Sequence, residues 1–417
     1  MILVAIVLGG AGLASFLAPP EDRAAFRLHC ALAAVLGLGL TGAISMAGRL
    51  LQAPSWIAHL VVSALGAAGL LLSRGRGLRR PVGDLRRKSD LCPRIFTLLA
   101  AAVVGGLFLE HSIRYPDGAW DARAIWNLRA RALHRAPHRL DLALPAAMPE
   151  THPDYPLLLP SLVADGYAAM GETPAVQVGL AAVFTLLLVL VPALAAARVS
   201  AERGFLAALA MLGMPALLQQ GWSQQADVPV AVFLSASAAL WLEGSPLLAG
   251  LAVGFCALTK NEGLFWAAVL WVSLPGRRRF ALGAALPLLL VVLFKLGFPH
   301  PSDLISGAAF DLRRGLVLGK ALVAELWNFP AFGLAGPAVL IALVALRGDD
   351  FARPLKLALL SALAVLCTIY LTAPRPIEQI TSGSLDRLLL QWSGVAVLAA
   401  VRWRRGTPRW SGTRSAT

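Results

Sequence analysis

Residues 174–197 read PAVQVGLAAVFTLLLVLVPALAAA, a run without a single Asp, Glu, Lys or Arg. The hydrocarbon core of a bilayer is about 30 Å thick, and an α-helix needs about 20 apolar residues to cross it. The run therefore predicts a transmembrane helix. The whole chain has the same character, because 58% of its 417 residues are hydrophobic, only 14% are charged and the mean hydropathy is +0.70. These values exclude a soluble globular protein, a disordered chain and a fibrous protein.

Further apolar segments lie on both sides of this one. Together with 174–197, the candidate spans are 2–18, 28–48, 56–73, 95–112, 203–219, 228–242, 280–296, 329–346, 357–372 and 387–403. Two shorter apolar runs between residues 246 and 275 are interpreted as two short helices, separated by Lys260-Asn261-Glu262-Gly263. The sequence therefore predicts an all-α polytopic membrane protein with about thirteen transmembrane helices.

Basic residues indicate which loops face the cytoplasm. The segment 74–94 contains eight Lys or Arg and two Asp, and cytoplasmic loops are enriched in Lys and Arg. Counting spans from that loop places three more basic segments on the same side, at 276–279, 347–356 and 402–414. These segments account for much of the net charge of +14 without nucleic-acid binding. We expect the N-terminus outside and the C-terminus in the cytoplasm. The composition, rich in Arg, Ala, Leu and Gly, suggests a GC-rich bacterial genome.

The span count divides the chain into three parts. Residues 1–94 contain three N-terminal transmembrane helices and the basic cytoplasmic loop, and residues 404–417 form a basic cytoplasmic tail. Residues 95–403 form the main transmembrane unit between them, with its longest outer loop at 113–173. Loops of such length usually carry function, so we expect the functional residues there.

The outer loop opens with a turn at Pro116-Asp117-Gly118. The residues after the turn predict a helix that ends at about Arg135 and lies on the outer membrane surface. Asp121 falls on the apolar face of this helix. The other members of that face are Ile125, Leu128 and Ala132. A carboxylate there is costly unless it has a partner or a task, so Asp121 is either a catalytic acid or an acid that stabilises the helix N-terminus.

A second polar group follows in the same loop, in the sequence THPDYPLLLP at 151–160. Its three prolines predict a stiff entry to a helix. The pair His152 and Asp154 suits orientation of a substrate, although helix capping within a turn is an equally simple interpretation. Two candidate ligands are too few to predict a metal site.

Charged residues also lie at the outer ends of predicted spans. Lys260 and Glu262 interrupt an apolar stretch, either to bind phosphate or to hold a helical hairpin as an ion pair. Arg387 opens the last span, and the planar fork of a guanidinium matches phosphate oxygens. The alternative for Arg387 is a side chain that snorkels from a helix end. Asp227 is interpreted as a cap for the span that begins at Val228.

Four of these segments together resemble a known family of membrane enzymes. They are WDARAIWNLRARAL (120–133), HPDYPLLLP (152–160), ALTKNEG (257–263) and SLDRLLLQW (384–392). In combination they are similar to bacterial proteins of the C-type glycosyltransferase superfamily (GT-C), in particular to glycosyltransferase family 39-like proteins with the Rgt-type lipopolysaccharide glycosyltransferase domain. The resemblance covers about residues 95–395, so the first three spans are an addition to that unit.

The resemblance implies a GT-C-like fold with interfacial helices in the large outer loop. It also implies inverting transfer of a sugar from a polyprenyl-phosphate donor to an acceptor on the periplasmic face. An acid early in that loop is the expected general base, and Asp121 is the matching position. The family pattern often has two adjacent acids, whereas in this chain Ala122 follows Asp121. Asp154 is therefore the alternative candidate for the general base. Lys260 and Arg387 are expected to hold the donor phosphate.

Other residues of the same segments are expected to bind substrate. They are Trp120, Arg123, His152, Tyr155 and Glu262. The expected partners are the lipid-linked sugar donor, an envelope glycan, lipid or protein acceptor, and membrane lipids, without nucleic acid. No cofactor is expected, and the sequence leaves open whether the protein needs a divalent metal ion. A lipid-linked saccharide ligase or polymerase, and a membrane transporter or flippase, are the alternatives. A transporter places ionisable residues at the bilayer midplane, where Lys295 and His59 are the few candidates.

Overall fold

The computed structural model describes residues 1–73, 78, 91–300, 311, 313–345, 353–374 and 376–400. Of these residues 81% are helical, and no β-strand occurs among them. The predicted all-α class is therefore confirmed for this part of the chain. Most of the predicted basic loop at 74–94, much of the segment 347–356 and the tail at 404–417 lie outside the described residues.

The described residues form twenty α-helices. In chain order they are α1 (Ile2–Ala14), α2 (Arg23–Leu50), α3 (Ser55–Ser73), α4 (Leu91–Arg114), α5 (Asn127–Arg135), α6 (Leu140–Ala143), α7 (Leu158–Met170), α8 (Pro174–Ala197), α9 (Ala201–Leu212), α10 (Pro215–Trp222), α11 (Asp227–Leu242), α12 (Pro246–Thr259), α13 (Glu262–Ser273), α14 (Arg277–Gly297), α15 (Arg314–Leu326), α16 (Phe329–Phe332), α17 (Ala335–Ala345), α18 (Arg353–Thr372), α19 (Ile377–Gln391) and α20 (Ser393–Ala400). A π-helical turn at Ala122–Trp126 precedes α5, and a 3₁₀ turn at Pro149–Thr151 precedes α7.

Five of the described helices, α2, α3, α8, α14 and α18, are long and apolar enough to cross a membrane. The pair α9 and α10 adds a sixth if the 60° bend between them is a break within one span. The helices α1, α11, α12 and α13 are apolar but shorter. These helices indicate a multi-pass membrane protein, as the composition predicts. The number of thirteen spans stays a prediction, because the shorter helices do not by themselves reach the length of about 20 residues that a bilayer requires.

The outward faces of several long helices are apolar and exposed. On α14, Leu282, Leu286 and Leu293 share one face and are 69%, 72% and 54% exposed. A large apolar surface is unfavourable in water and marks contact with another apolar medium. This face of α14 therefore suits contact with lipid acyl chains.

Helix α11 lies at the centre of the bundle. Its residues from Asp227 to Leu240 are all buried, and it packs against α8, α12, α19 and α20. A helix that is apolar on every side is expected to be buried on every side. Its first residue, Asp227, is 0% exposed, so the carboxylate requires partners within the protein.

The three N-terminal helices pack tightly on one another through glycine. A Cβ atom on Gly10 would lie 1.9 Å from the carbonyl oxygen of Ala33, and one on Gly37 would lie 2.0 Å from that of Ile6. Small residues allow membrane helices to approach this closely. Helix α2 also contacts α7, α8 and α12, so these helices are joined to the main unit.

The predicted helix of the outer loop is present, with a change of register. Residues 120–135 are helical, but Ala122–Trp126 form a π-helical turn, which contains one residue more than an α-helical turn. The buried positions of this segment are Ala122, Ile125, Trp126, Asn127, Arg129, Ala130 and Leu133. Leu128 of the predicted apolar face is 38% exposed. Leu128 is more exposed than Ile125, which is 2% exposed, because the added residue changes which side chains share a face.

The second half of the outer loop folds back into the bundle as α7. Residues 158–167 are buried, and α7 packs against α2, α5 and α8. Its carboxylate Asp165 is 0% exposed and accepts a hydrogen bond at 2.6 Å from Nη2 of Arg49. Nε2 of His59 lies 3.0 Å from the same carboxylate, and Ser45 donates a further hydrogen bond. These contacts attach the outer loop to the N-terminal helices.

Candidate active site

A cavity of about 290 Å³ lies where the outer loop meets α11, the α12–α13 connection, α18 and α19. Its volume is near the lower end of the range of about 300–1,000 Å³ for small-molecule sites. Its polar and ionisable lining residues are Asp121, His152, Asp154, Tyr155, Asp227, Lys260, Glu262, Tyr370, Gln379, Ser384 and Arg387. Seven of the nine residues that the sequence predicts for the site therefore line one cavity.

Arg387 of α19 joins two carboxylates in this cavity. Its Nη2 atom lies 2.7 Å from Oδ2 of Asp121 and 2.9 Å from Oδ2 of Asp227, and its Nε donates to the latter at 3.0 Å. Asp121 reaches it from the position just before the π turn, and Asp227 reaches it from the start of α11. Hydrogen bonds between two ionised groups are strong. The predicted base and the predicted phosphate ligand are therefore direct partners.

Lys260 is the second cation of the cavity. Its Nζ atom lies 3.1 Å from Oδ1 of Asp227 and 3.1 Å from Oε1 of Glu262. The tight α12–α13 connection positions it, because a Cβ atom on Gly263 would lie 2.2 Å from the carbonyl carbon of Cys256. The ion pair between Lys260 and Glu262, which the sequence offers as a structural alternative, is present, and both residues also line the cavity.

Asp227 is a site residue that sequence reasoning misses. The sequence predicts a capping role, but Ala226 is the N-cap of α11, and the Asp227 side chain binds other elements. Besides the two cations, it accepts a hydrogen bond at 2.6 Å from Nε2 of Gln391, whose Oε1 accepts one at 2.6 Å from Nε1 of Trp266. A signal for this role exists in the sequence. An acid on a helix that is apolar on every side has no exposed face to occupy, so it needs a buried cation.

Arg129 of α5 holds the loop 151–155 in place. Its guanidinium donates hydrogen bonds to the backbone carbonyls of Thr151 at 2.5 Å, Tyr155 at 3.2 Å and His152. Burial lowers the pKa of Arg129 to about 10, so the side chain stays charged at neutral pH. His152 has a φ of 50°, a conformation that a residue with a side chain rarely adopts unless its surroundings hold it. Sequence reasoning misses this role, because carbonyl partners cannot be read from residue types.

Asp154 faces the cavity from the same loop. Its carboxylate accepts a hydrogen bond from Nδ2 of Asn261 and lies 4.0 Å from both Nδ1 of His152 and Nζ of Lys295. Lys295 also donates to the Asp154 carbonyl and, at 2.8 Å, to Oδ1 of Asn261. The Asp154 side chain is 4% exposed, whereas that of Asp121 is 21% exposed. Asp121 is therefore the more accessible of the two predicted catalytic acids.

Tyr155 forms an aromatic stack beside these charges. Its ring centroid lies 5.6 Å from that of Trp126 and 4.8 Å from that of His152, with nearly parallel planes. Nζ of Lys260 lies 5.7 Å from the Tyr155 centroid, within the range of a cation–π contact. Burial raises the pKa of Tyr155 well above its ordinary value. The phenol therefore stays protonated at neutral pH and can donate a hydrogen bond, but it cannot serve as a base.

The structure places Trp120 and Arg123 away from the cavity. Trp120 is 54% exposed, Arg123 is exposed as well, and neither residue belongs to the cavity lining. The helix turns Ile125 and Trp126 towards the cavity instead. A substrate contact by Trp120 or Arg123 has no support in this geometry. Exposed Trp is common at the headgroup level of a membrane, a position that suits Trp120.

The charges of the cavity are paired with one another. Across the described part of the chain, no group of three or more His, Cys, Asp or Glu side chains is arranged to hold a metal ion. Asp121, Asp227 and Glu262 each contact a Lys or Arg side chain instead. The expectation that no cofactor is needed stays a prediction.

The chain matches no protein-family model, no curated protein and no solved structure. The likeness to GT-C enzymes therefore depends on the four sequence segments. Each of the four contributes side chains to the cavity. They include Asp121, Tyr155, Lys260 and Arg387, one from each segment. Segments that are distant in the sequence thus meet at one place.

Proposed function

We propose that the chain is a GT-C-like integral membrane glycosyltransferase. It moves a sugar from a polyprenyl-phosphate donor to an acceptor on the periplasmic face, with inversion at the anomeric carbon. The observation that carries the proposal is the contact of 2.7 Å between Asp121 and Arg387, in a cavity to which all four segments of the resemblance contribute. A base and a phosphate-binding cation are the two groups that this transfer requires.

Donor binding begins with an exchange of partners at Arg387. Arg387 gives up its contact with Asp121 and binds the donor phosphate, while Asp227 keeps the guanidinium in position. Lys260, which Asp227 also holds at 3.1 Å, is the second cation near the phosphate. The exchange leaves the Asp121 carboxylate without its cation and therefore ready to accept a proton.

Transfer is then a single displacement. The acceptor hydroxyl oxygen attacks the anomeric carbon as Asp121 removes its proton. The bond between the anomeric carbon and the phosphate oxygen breaks, and the polyprenyl phosphate leaves with the electron pair. Arg387 and Lys260 stabilise the added negative charge on the leaving phosphate. The aromatic stack around Tyr155 provides a flat wall for the sugar, and Asp154 offers its carboxylate to the sugar or acceptor hydroxyls.

In this proposal the chain crosses the bacterial inner membrane about thirteen times, with the cavity at the periplasmic ends of the spans. The contacts of two ionisable residues support an enzyme over a transporter. Lys295 contacts Asp154, and His59 contacts Asp165, so both interact with the outer loop. A transporter instead uses ionisable residues in the middle of the bilayer.

The test is transfer by the purified protein in liposomes. Radiolabelled polyprenyl-phosphate sugars are supplied with candidate acceptors, and loss of label from the carrier is measured for the wild type and for Asp121→Asn. We expect wild type to consume one carrier and the variant to be at least about 100-fold slower. Asp141→Asn is the matched control, because Asp141 is an exposed acid of the same loop, paired with Arg139.

Three outcomes would contradict the proposal. Full activity in Asp121→Asn would show that Asp121 is not the general base. Flux of intact lipid-linked sugar across the liposome membrane, without loss of the sugar, would indicate a flippase. Transfer from a pyrophosphate-linked oligosaccharide alone would indicate a ligase or polymerase in place of a monosaccharide transferase.

A further inference from the structure

A second cavity, of about 280 Å³, lies between the N-terminal helices and the outer loop. Its wall is formed by the end of α2, the start of α3, the end of α5 and α7. The polar members of the wall are Ser45, Arg49, Ser55, His134 and His138. None of the described residues that line it is Asp or Glu, whereas the candidate active site has four acids in its wall. The second cavity therefore favours an anion.

Arg49 provides a buried cation at this cavity. The side chain is 7% exposed, with Nη1 donating to the Leu133 carbonyl at 3.1 Å and Nη2 donating to Asp165 at 2.6 Å. Its Nε donor is buried and has no acceptor within the protein. Because Asp165 is also held by His59 and Ser45, the guanidinium is fixed before any ligand arrives.

The start of α3 adds a second source of positive potential. The first N–H groups of an α-helix have no partner within the helix, and that end carries a charge of about +0.5. Ser55, Trp56 and Ala58 of the first turn of α3 line the cavity. Helix N-termini are frequent phosphate-binding positions. The imidazoles of His134 and His138 supply further N–H donors from the opposite wall.

We propose that this second cavity binds a phosphate group. The neighbouring face of α3 is apolar and exposed, with Trp56 and Leu60 both at 54% exposure, so the phosphate of a lipid headgroup and free phosphate both have access. The site is distinct from the sugar-transfer cavity and does not depend on its function. The end of α5 at His134 lies about 12 Å along the helix axis from Trp126 of the first cavity. The N-terminal helices, which the GT-C resemblance does not cover, thereby gain a binding role.

The test measures binding by the purified full chain, with two probes. Radiolabelled inorganic phosphate is followed by equilibrium dialysis, and phosphatidic acid is compared with phosphatidylcholine by native mass spectrometry. The first variant combines His134→Ala with His138→Ala, which removes both N–H donors. The second variant is Gly48→Phe, which fills the cavity and leaves Arg49 paired. A Cβ atom on Gly48 would meet nothing closer than Ala58 Cβ at 3.8 Å, so the backbone tolerates the change.

We expect both variants to weaken binding at least tenfold. The matched control Arg139→Gln, which removes a cation of the same loop outside the cavity, should bind as wild type. Binding of inorganic phosphate that both variants lose identifies free phosphate as a sufficient ligand. Binding of phosphatidic acid alone, again lost in both variants, identifies a lipid headgroup. No binding of either probe, or wild-type affinity in both variants, overturns the proposal.

Discussion

The guanidinium of Arg387 lies 2.7 Å from the carboxylate of Asp121 and 2.9 Å from that of Asp227. One cation is thus shared by two acids of different exposure, since the Asp121 side chain is 21% exposed and that of Asp227 is 0% exposed. A buried ionised acid cannot give up its cations without a large cost. Asp227 is therefore the fixed partner of Arg387, and Asp121 is the partner that can be exchanged.

The two predicted catalytic acids can be separated by conservative substitution. Asp121→Asn should lower the initial rate of sugar transfer by about 100- to 10,000-fold, because a general base contributes that range. Asp154→Asn should have a smaller effect, since its less exposed carboxylate already bonds with Asn261. Initial rates in liposomes check the order of the two losses. A larger loss in Asp154→Asn would reassign the base to that residue.

Binding of the donor phosphate is predicted to depend on the shape of the Arg387 side chain as well as on its charge. Arg387→Lys keeps the charge but removes the planar fork that bonds two groups at once. We expect the KM for the lipid-linked donor to rise about tenfold, which corresponds to about 1.4 kcal/mol. Arg139→Lys, at an exposed ion pair of the outer loop, is the control. An unchanged KM in Arg387→Lys would show that donor binding does not depend on the planar guanidinium.

Asp227→Asn should lower the stability of the whole protein. The substitution removes the buried carboxylate that Arg387 and Lys260 share, and breaking a buried ion pair typically costs about 3–5 kcal/mol. Thermal unfolding in detergent measures the effect, with Asp141→Asn at the surface as a control whose midpoint should not change. A wild-type unfolding midpoint in Asp227→Asn would contradict this role.

Arg129 donates hydrogen bonds to the backbone of the loop 151–155, so we expect the loop to be more flexible in Arg129→Lys. One ammonium cannot reach the three carbonyls that the guanidinium binds, and each buried acceptor left without a donor costs about 1–3 kcal/mol. The backbone amides of Glu150, Thr151, His152, Asp154 and Tyr155 should exchange with deuterium at least tenfold faster. Arg135→Lys, at an exposed pair on the same helix, should leave exchange unchanged. Equal rates of deuterium exchange in Arg129→Lys and Arg135→Lys would show that Arg129 does not stabilise this loop.

The orientation of the chain can be tested by labelling single cysteines. Glu150 of the outer loop and Arg278 at the start of α14 are both exposed, and the charge distribution places them on opposite sides of the membrane. In a background whose four native cysteines are replaced by alanine, Glu150→Cys should react with an impermeant maleimide in intact spheroplasts. Arg278→Cys should react only after permeabilisation. The reverse pattern would invert the topology.

The sequence predicts some features of this protein well, and the reason is physical. A bilayer requires long uncharged runs, so helices such as α8 are visible directly as stretches of apolar residues. Charged residues that interrupt such runs are rare and costly, which is why Lys260 and Arg387 could be assigned to a site. Short helices such as α11 and α12 are less decisive, because buried helices and short spans have the same composition.

Other features depend on contacts that a linear pattern does not contain. Asp227 resembles an ordinary helix-capping acid until the positions of Arg387 and Lys260 are known. Arg129 works through backbone carbonyls, which every residue has. Leu128 lies off the buried face for a local reason, since the added residue of the π turn changes which side chains after it share a face.

Each residue added to an α-helix rotates everything after it by about 100° around the axis. The π turn at Ala122–Trp126 adds one residue between Asp121 and Arg129, so removal of that residue would turn Arg129 away from the loop 151–155 while Asp121 stayed in place. A homologue without the insertion would have to hold its loop with another side chain. The π turn and an arginine eight positions after the acid are therefore expected to be gained or lost together during evolution.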